Sequence, residues 1–139
     1  MKILSILLLF LPAFCNSQSI TGRWTTIDDN TGEEKSIVEI MERNGKTYGK
    51  IVKIFVKPGE DPDPVCDECP EDDSRFNKKI IGMEIIRDMK KSGNEYSDGN
   101  ILDPEVGKIY RCKLWMEDGE LKVRGYWGPF YRTQSWKKA

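Results

Sequence analysis

The sequence predicts an all-β protein, an antiparallel up-and-down barrel of about eight strands that carries one long acidic loop. The first observation is that β-branched and aromatic residues fall in short runs, which is typical of strands. The second is that hairpin dipeptides separate runs, as at Asn44-Gly45 and Asp118-Gly119. Such dipeptides supply the two positive φ angles of a type I′ turn. The third is the regular spacing of the runs, which favours a barrel or sandwich over an α/β fold.

The eight predicted strands are residues 20–27, 36–42, 47–56, 79–88, 95–102, 108–116, 121–127 and 130–137. The fourth run is ambiguous, because Met83, Ile86 and Met89 also fall at helical spacing, but its isoleucines favour a strand. The sixth run alternates, so one face is predicted to carry the residues Tyr110, Cys112, Leu114 and Met116, and the other Ile109, Arg111, Lys113 and Trp115.

The N-terminus predicts a secretory signal peptide over residues 1–17, cleaved after Ser17 or Ser19. Lys2 precedes an apolar stretch that is shorter than the roughly 20 residues of a membrane-spanning helix. A lipid anchor at Cys15 is disfavoured, because Phe14 stands where lipidation needs a small residue. We therefore expect one soluble β-barrel domain, residues 18–139, in the periplasm or secreted.

Charge and composition exclude several functions. The chain has 22 basic and 23 acidic residues, and this balance argues against a nucleic-acid partner. It has no histidine, which removes the commonest general base and the usual catalytic triad. Enzymatic activity is therefore left open but not favoured, and no cofactor is expected.

A predicted loop at residues 56–75 holds four of the seven prolines and the whole of a dense acidic stretch from Glu60 to Asp73. Its Cys66 and Cys69 are flanked by Asp67 and Glu68, whose charges oppose a reactive thiolate. A zinc site would need Cys112 and a carboxylate and would have no histidine. The favoured interpretation is a structural disulfide between Cys66 and Cys69, with Cys112 as a buried thiol.

The carboxylates of this loop suggest calcium as a second possible ligand. They lack the spaced aspartates and the glycine of an EF-hand loop, so a solvated surface loop is favoured and no metal site is assigned. Asp103 is expected to cap the turn that begins at Pro104 rather than to act in catalysis.

Several short motifs occur along the chain, namely Gly22-x-Trp24, Cys66-x-x-Cys69, Ile81-Gly82, Gly99-x-Ile101-x-Asp103-Pro104-x-x-Gly107-x-x-Tyr110, Leu121-x-Val123-Arg124-Gly125-Tyr126 and Arg132-Thr133-Gln134-x-Trp136. Together they resemble the bacterial domain-of-unknown-function family numbered 2147. The resemblance covers nearly all of the chain after the signal peptide, and it implies an exported single-domain protein.

The chain also resembles the lipocalin and fatty-acid-binding (calycin) superfamily, which places Gly-x-Trp on the first strand and a basic residue on the last. The matching positions are Gly22, Trp24 and Arg132, with Arg124 as an alternative. The resemblance implies that Trp24 closes one barrel end and that Arg132 stacks on it, a contact worth roughly 0.5–2 kcal/mol.

The function expected first is binding of a small apolar or anionic ligand in the cell envelope. Arg124 is the candidate for an anion, and the candidate lining residues are Tyr110, Leu114, Val123 and Trp127. The alternative is an envelope interaction or assembly protein with a filled core and no ligand. An apolar cavity would favour the first function and a filled interior the second.

Overall fold

The computed structural model describes residues 9, 11–12 and 19–139. The predicted signal peptide, its cleavage after Ser17 and the position of Cys15 lie outside the described residues or at their margin. In the described part, no helix is long and apolar enough to cross a membrane.

Eight antiparallel strands form a closed barrel in which each strand pairs with the next and the last returns to the first. This confirms the predicted all-β, up-and-down barrel. The strands are β1 (Gly22–Ile27), β2 (Glu34–Arg43), β3 (Lys46–Ile54), β4 (Glu84–Ser92), β5 (Glu95–Asp103), β6 (Lys108–Glu117), β7 (Glu120–Trp127) and β8 (Phe130–Lys138).

The two ends of the barrel differ. We call the end with the tight turns after β2, β4 and β6 the hairpin end; β1 starts there and β8 finishes there. Asn44 and Gly45 have φ of 54° and 77°, as a type I′ turn requires. The other end, with the connections after β1, β3, β5 and β7, we call the loop end.

β4 begins later than its predicted start at residue 79. Residues 79–83 belong to the preceding loop, which reaches the barrel through hydrogen bonds between Gly82 and Ile51 (N···O 2.6 Å) and between Ile51 and Met83 (2.9 Å). The regular alternation of a strand is interrupted within β4, because Asp88 has φ of 59° and the register with β3 shifts there. Such a bulge lets Ile86 and Met89 both turn inward, which explains their helix-like spacing.

Side chains fill the barrel. Val38, Ile86, Met89, Leu114 and Leu121 have no accessible surface at all. Side chains lining a water-filled lumen would retain accessible surface, so these positions touch no space large enough for water. An eight-stranded barrel is narrow enough to be packed in this way.

Residues 55–83, which we call the capping loop, cover the loop end. Cys66 and Cys69 are buried within the main hydrophobic core, and Phe76 and Ile80 pack against it. The loop is longer than the predicted 56–75. Most of its acidic side chains face solvent, whereas its cysteines, Phe76 and Ile80 pack on the barrel.

Candidate functional site

The capping loop is fixed by a disulfide between Cys66 and Cys69, which confirms the predicted pairing. Cys66 lies against the carbonyl oxygen of Pro104, 3.7 Å from its sulfur, so the disulfide contacts the turn between β5 and β6. Cys112 is a buried free thiol, and its burial raises its pKa to about 12. These three sulfurs therefore offer no thiolate for redox or metal chemistry near neutral pH.

A buried ion pair holds the next part of the loop. The Arg75 guanidinium donates from Nε and Nη2 to the two carboxylate oxygens of Asp73, each at 2.9 Å, and from Nη1 to the Glu84 carbonyl at 2.8 Å. The Arg75 contact lowers the pKa of Asp73 to about 2. Sequence reasoning missed this anchor, although a single arginine inside an acidic stretch was a visible signal.

The turn between β5 and β6 is in close contact with the capping loop. Gly107 has φ of 68°, and a Cβ placed there would overlap the carbonyl oxygen of Glu68. Asp103 accepts a hydrogen bond from the Glu105 backbone N–H at 3.0 Å, as predicted for a turn-capping residue. Burial of the Asp103 carboxyl group raises its pKa.

The acidic loop shows no metal centre. Among residues 19–139, no group of three or more Asp, Glu or Cys side chains is gathered as a metal site would need. Asp63 instead pairs with Lys79 at 2.6 Å, and Asp73 is engaged by Arg75.

The predicted lining residues separate into two groups. Leu114 and Val123 face each other across β6 and β7 and are buried in the filled core. Tyr110 is half-buried on the same face of β6 and packs over Gly125. Trp127 is 66% exposed at the loop end, so it does not line the interior with them.

Arg124 lies outside the barrel, not in a lumen. Leu121 and Val123 are buried and alternate with it on β7, so the pleat turns Arg124 outward. Its Nε donates to the Thr133 hydroxyl at 2.8 Å. Its guanidinium carbon lies 4.9 Å from the Trp115 ring centroid and 4.3 Å from that of Tyr131. The same alternation in the sequence already indicated the outward direction.

Trp24 and Arg132 do not meet. Trp24 is buried at the hairpin end, donates its indole N–H to the Ile20 carbonyl at 2.9 Å, and pairs in register with Lys138. Arg132 lies six residues earlier on β8, about 20 Å away along the strand, and its Nε bonds Asp29 at 2.5 Å. Trp24 thus lies at the hairpin end, and Arg132 does not stack on it.

The outer faces of β6, β7 and β8 combine cations with aromatic rings. We call this surface the outer wall; it carries the residues Arg111, Lys113, Trp115, Lys122, Arg124, Tyr126 and Tyr131. Arg111 stands over the Tyr126 ring at 5.7 Å, and Lys113 over the Trp115 ring at 5.9 Å. The outer wall carries four cations and no carboxylate of its own, and two of these cations, Lys113 and Lys122, pair with Glu95 and Glu120 at its margin.

Large apolar side chains are exposed where the outer wall reaches the loop end. Trp127 and Phe130 flank the β7–β8 turn, and Tyr131 follows, with exposed fractions of 66%, 69% and 62%. Lys108 lies 5.2 Å from the Trp127 ring centroid. Contiguous exposed aromatics of this kind mark interaction sites more often than chance surface residues do.

The barrel closes weakly between β1 and β8. Only Trp24↔Lys138 and Thr25↔Lys137 are in register there, whereas residues 130–136 of β8 each have a partner on β7. We call this junction the seam. The side chains of Arg132 and Asp29 bridge it nearer the loop end.

Comparison with known proteins agrees with this architecture. A solved structure described as "Protein HP1028 from the human pathogen Helicobacter pylori belongs to the lipocalin family" has a TM-score of 0.72 and 21% sequence identity, and the match covers 87% of this chain and 83% of that one. At this identity the likeness shows the fold, which is lipocalin-like. No curated protein matches the chain. The profile of the family described as "Uncharacterized protein conserved in bacteria (DUF2147)" matches residues 22–138, so the chain belongs to that family.

Proposed function

We propose that this protein is an exported envelope protein that binds a partner through its outer wall and holds no ligand inside the barrel. The observation that carries the proposal is the filled interior, where Val38, Ile86 and Leu114 retain no accessible surface. Ligand pockets for small molecules usually have about 300–1,000 Å³ of space. A ligand of that size would have to displace several packed side chains.

The depressions in the described part of the chain support this proposal. Two of them lie at the surface, one around Trp24 and Lys138 at the hairpin end and one beside Arg111 and Tyr126 on the outer wall. The second is about 440 Å³ and adjoins the cations and rings described above. Binding at this protein is therefore assigned to its outside.

The composition of the outer wall fits protein recognition. Tryptophan, tyrosine and arginine dominate the residues that carry binding energy in protein interfaces. Arg124 is already held between Trp115 and Tyr131, so little side-chain freedom remains to be lost on binding. An extracytoplasmic location is supported by the disulfide, because such bonds persist mainly in oxidising compartments.

Site-specific photo-crosslinking in the producing cell tests the proposal. A crosslinker replaces Tyr131 on the outer wall, and a matched control replaces Lys90, an exposed residue on β4. We expect a discrete crosslinked product from position 131 and none from position 90. Equal labelling at both positions would contradict an outer-wall function.

Native mass spectrometry of the protein purified from its own compartment provides the second half of the test. We expect the bare protein mass. A small adduct that survives Tyr131→Ser but is lost in Leu114→Trp, where the larger side chain overfills the interior, would place the ligand inside and refute the proposal.

A second candidate function is binding of a small apolar or anionic ligand beneath the capping loop. It is favoured by the lipocalin-like fold together with the apolar underside of the loop, where Phe76 and Ile80 pack on the core. A ligand would enter only when the Asp73–Arg75 anchor and the disulfide region lift. The mass measurement separates the two candidates directly.

A further inference from the structure

The seam leaves one strand edge of β8 unpaired. Residues 130–136 bond to β7 on one side, and in the described residues neither β1 nor any loop backbone pairs with their other side. Seven residues of β8 therefore have no strand partner on this side, and the backbone N–H and C=O groups of alternate residues among them face the seam. Typical strands have about five or six residues, so this edge is long enough for a complete added strand.

The gap results from the shape of β1. That strand has six residues, and its register with β2 shifts between Thr26 and Ile27. The chain then enters a turn in which the Asp28 carboxylate accepts the backbone N–H groups of Asn30 and Thr31, at 2.8 and 3.0 Å. This turn leads the chain into β2, so β1 does not continue along β8.

We propose that the open edge of β8 binds an extended acidic peptide segment of a protein partner by strand addition. The inference rests on the proposed outer-wall function and specifies its partner. In strand addition, main-chain hydrogen bonds supply affinity and the alternate side chains supply specificity. Unpaired edges in natural proteins are usually covered or charged against such pairing, and here the Arg132–Asp29 ion pair bridges the edge near the loop end.

The charges beside the edge select an acidic partner. Thr133 and Tyr131 point outward from β8, as Arg124 does from β7, so an added strand would place its outward side chains beside them. The Nε of Arg124 is used by Thr133. The two terminal nitrogens of Arg124 make no hydrogen bond or ion pair with any described residue. They can therefore donate two hydrogen bonds to one carboxylate.

The ion pair across the seam controls access. Arg132 and Asp29 join β8 to the β1–β2 turn, with Arg132 62% exposed. An added strand must separate these two side chains. A carboxylate of that strand can then replace Asp29 as the ion-pair partner of Arg132. Neutralising Asp29 therefore removes a competitor and is expected to strengthen binding.

Fluorescence anisotropy with synthetic peptides tests the inference. The probe is a labelled peptide of about eight residues that alternates glutamate and valine. The first control carries N-methyl groups on alternate amides, which keeps its charge and removes the donors that a strand needs. The second control replaces glutamate by lysine. We expect only the parent peptide to bind. When it does, hydrogen exchange should slow at Tyr131, Thr133 and Ser135, whose N–H groups face the seam by strand alternation.

Protein variants locate the site. We expect Arg124→Gln to weaken binding about fivefold or more, Lys90→Gln to leave it unchanged, and Asp29→Asn to strengthen it. Circular dichroism checks that each variant is folded. Exchange of the unmodified protein gives a measurement that does not depend on any variant.

Three results would overturn the inference. These are absence of binding by the parent peptide, equal binding of the N-methylated peptide, and equal protection on strands other than β8. Equal binding of the N-methylated peptide with full dependence on Arg124 would indicate simple charge recognition, for example of an acidic polysaccharide. The crosslinking and mass measurements test the outer-wall function independently of these results. Failure of the strand-addition inference can therefore be distinguished from failure of the proposed function.

Discussion

Replacing Gly107 by alanine tests how the capping loop is seated. Gly107 has φ of 68°, and its Cα faces the carbonyl oxygen of Glu68 at a distance that leaves no room for a methyl group. The substitution therefore creates a strained backbone angle and also displaces the loop. The matched control is Gly119→Ala, because Gly119 has φ of 75° but nothing within 4 Å of its added Cβ.

The two effects can be estimated separately. A left-handed backbone angle costs an alanine about 1–2 kcal/mol, and this term is common to both variants. Forcing a methyl group into packed structure adds about 1–3 kcal/mol, and this term applies only at position 107. We therefore expect Gly107→Ala to lose about 2–5 kcal/mol of unfolding free energy and Gly119→Ala to lose about 1–2 kcal/mol.

Urea denaturation followed by tryptophan fluorescence measures both losses. With a slope of about 1–3 kcal/mol per molar urea, the difference between the variants corresponds to a midpoint shift near 1 M. If the two alanine variants lose the same stability, Glu68 does not press on Gly107, and the proposed seating of the loop on the β5–β6 turn is refuted.

Three further predictions concern the interior, the ion pair and the free thiol. Leu114→Ala should cost about 2–5 kcal/mol in the same urea assay, because Leu114 is fully buried; a loss well below this range would show that the interior has spare room. The pKa of Asp73 is about 2 in the folded protein against 3.8 in the unfolded chain, so the stabilisation is present above pH 3.8 and disappears as the pH falls through about 2. It should amount to about 1–2 kcal/mol after allowance for solvent screening, and Asp73→Asn should flatten the stability profile between these pH values; an unchanged profile would exclude the ion pair as its cause. Cys112 should resist iodoacetamide near pH 8 in the native protein and react after denaturation, because burial raises its pKa to about 12; rapid native labelling, followed by mass spectrometry, would contradict that burial.

The strand pattern could be predicted because local chemistry determines it. Asn44-Gly45 and Asp118-Gly119 place hairpin turns, and the alternation along residues 108–116 separates buried from outward positions. The prediction failed where apolar residues are buried by a loop. Ile80 and Met83 look like part of a strand in the sequence, but they pack against the barrel from the capping loop.

The site residues were harder to place because they depend on register between strands distant in sequence. The stacking expected of Trp24 and Arg132 requires them to share a barrel end, and only the pairing of Trp24 with Lys138 shows that they do not. The outward direction of Arg124 was available from its buried neighbours Leu121 and Val123. Its position between Trp115 and Tyr131 was not, since this requires three strands in register.

The seam also bears on how the chain folds. Every other strand pair joins consecutive strands, and all of these except β3–β4, which the capping loop connects, can form by local zippering. The seam instead joins Trp24 to Lys138, more than a hundred residues apart, and so carries the largest loop-closure entropy for the fewest backbone pairs. We expect it to form last and open first, so that the barrel passes through a curled open sheet on its way to and from the native state.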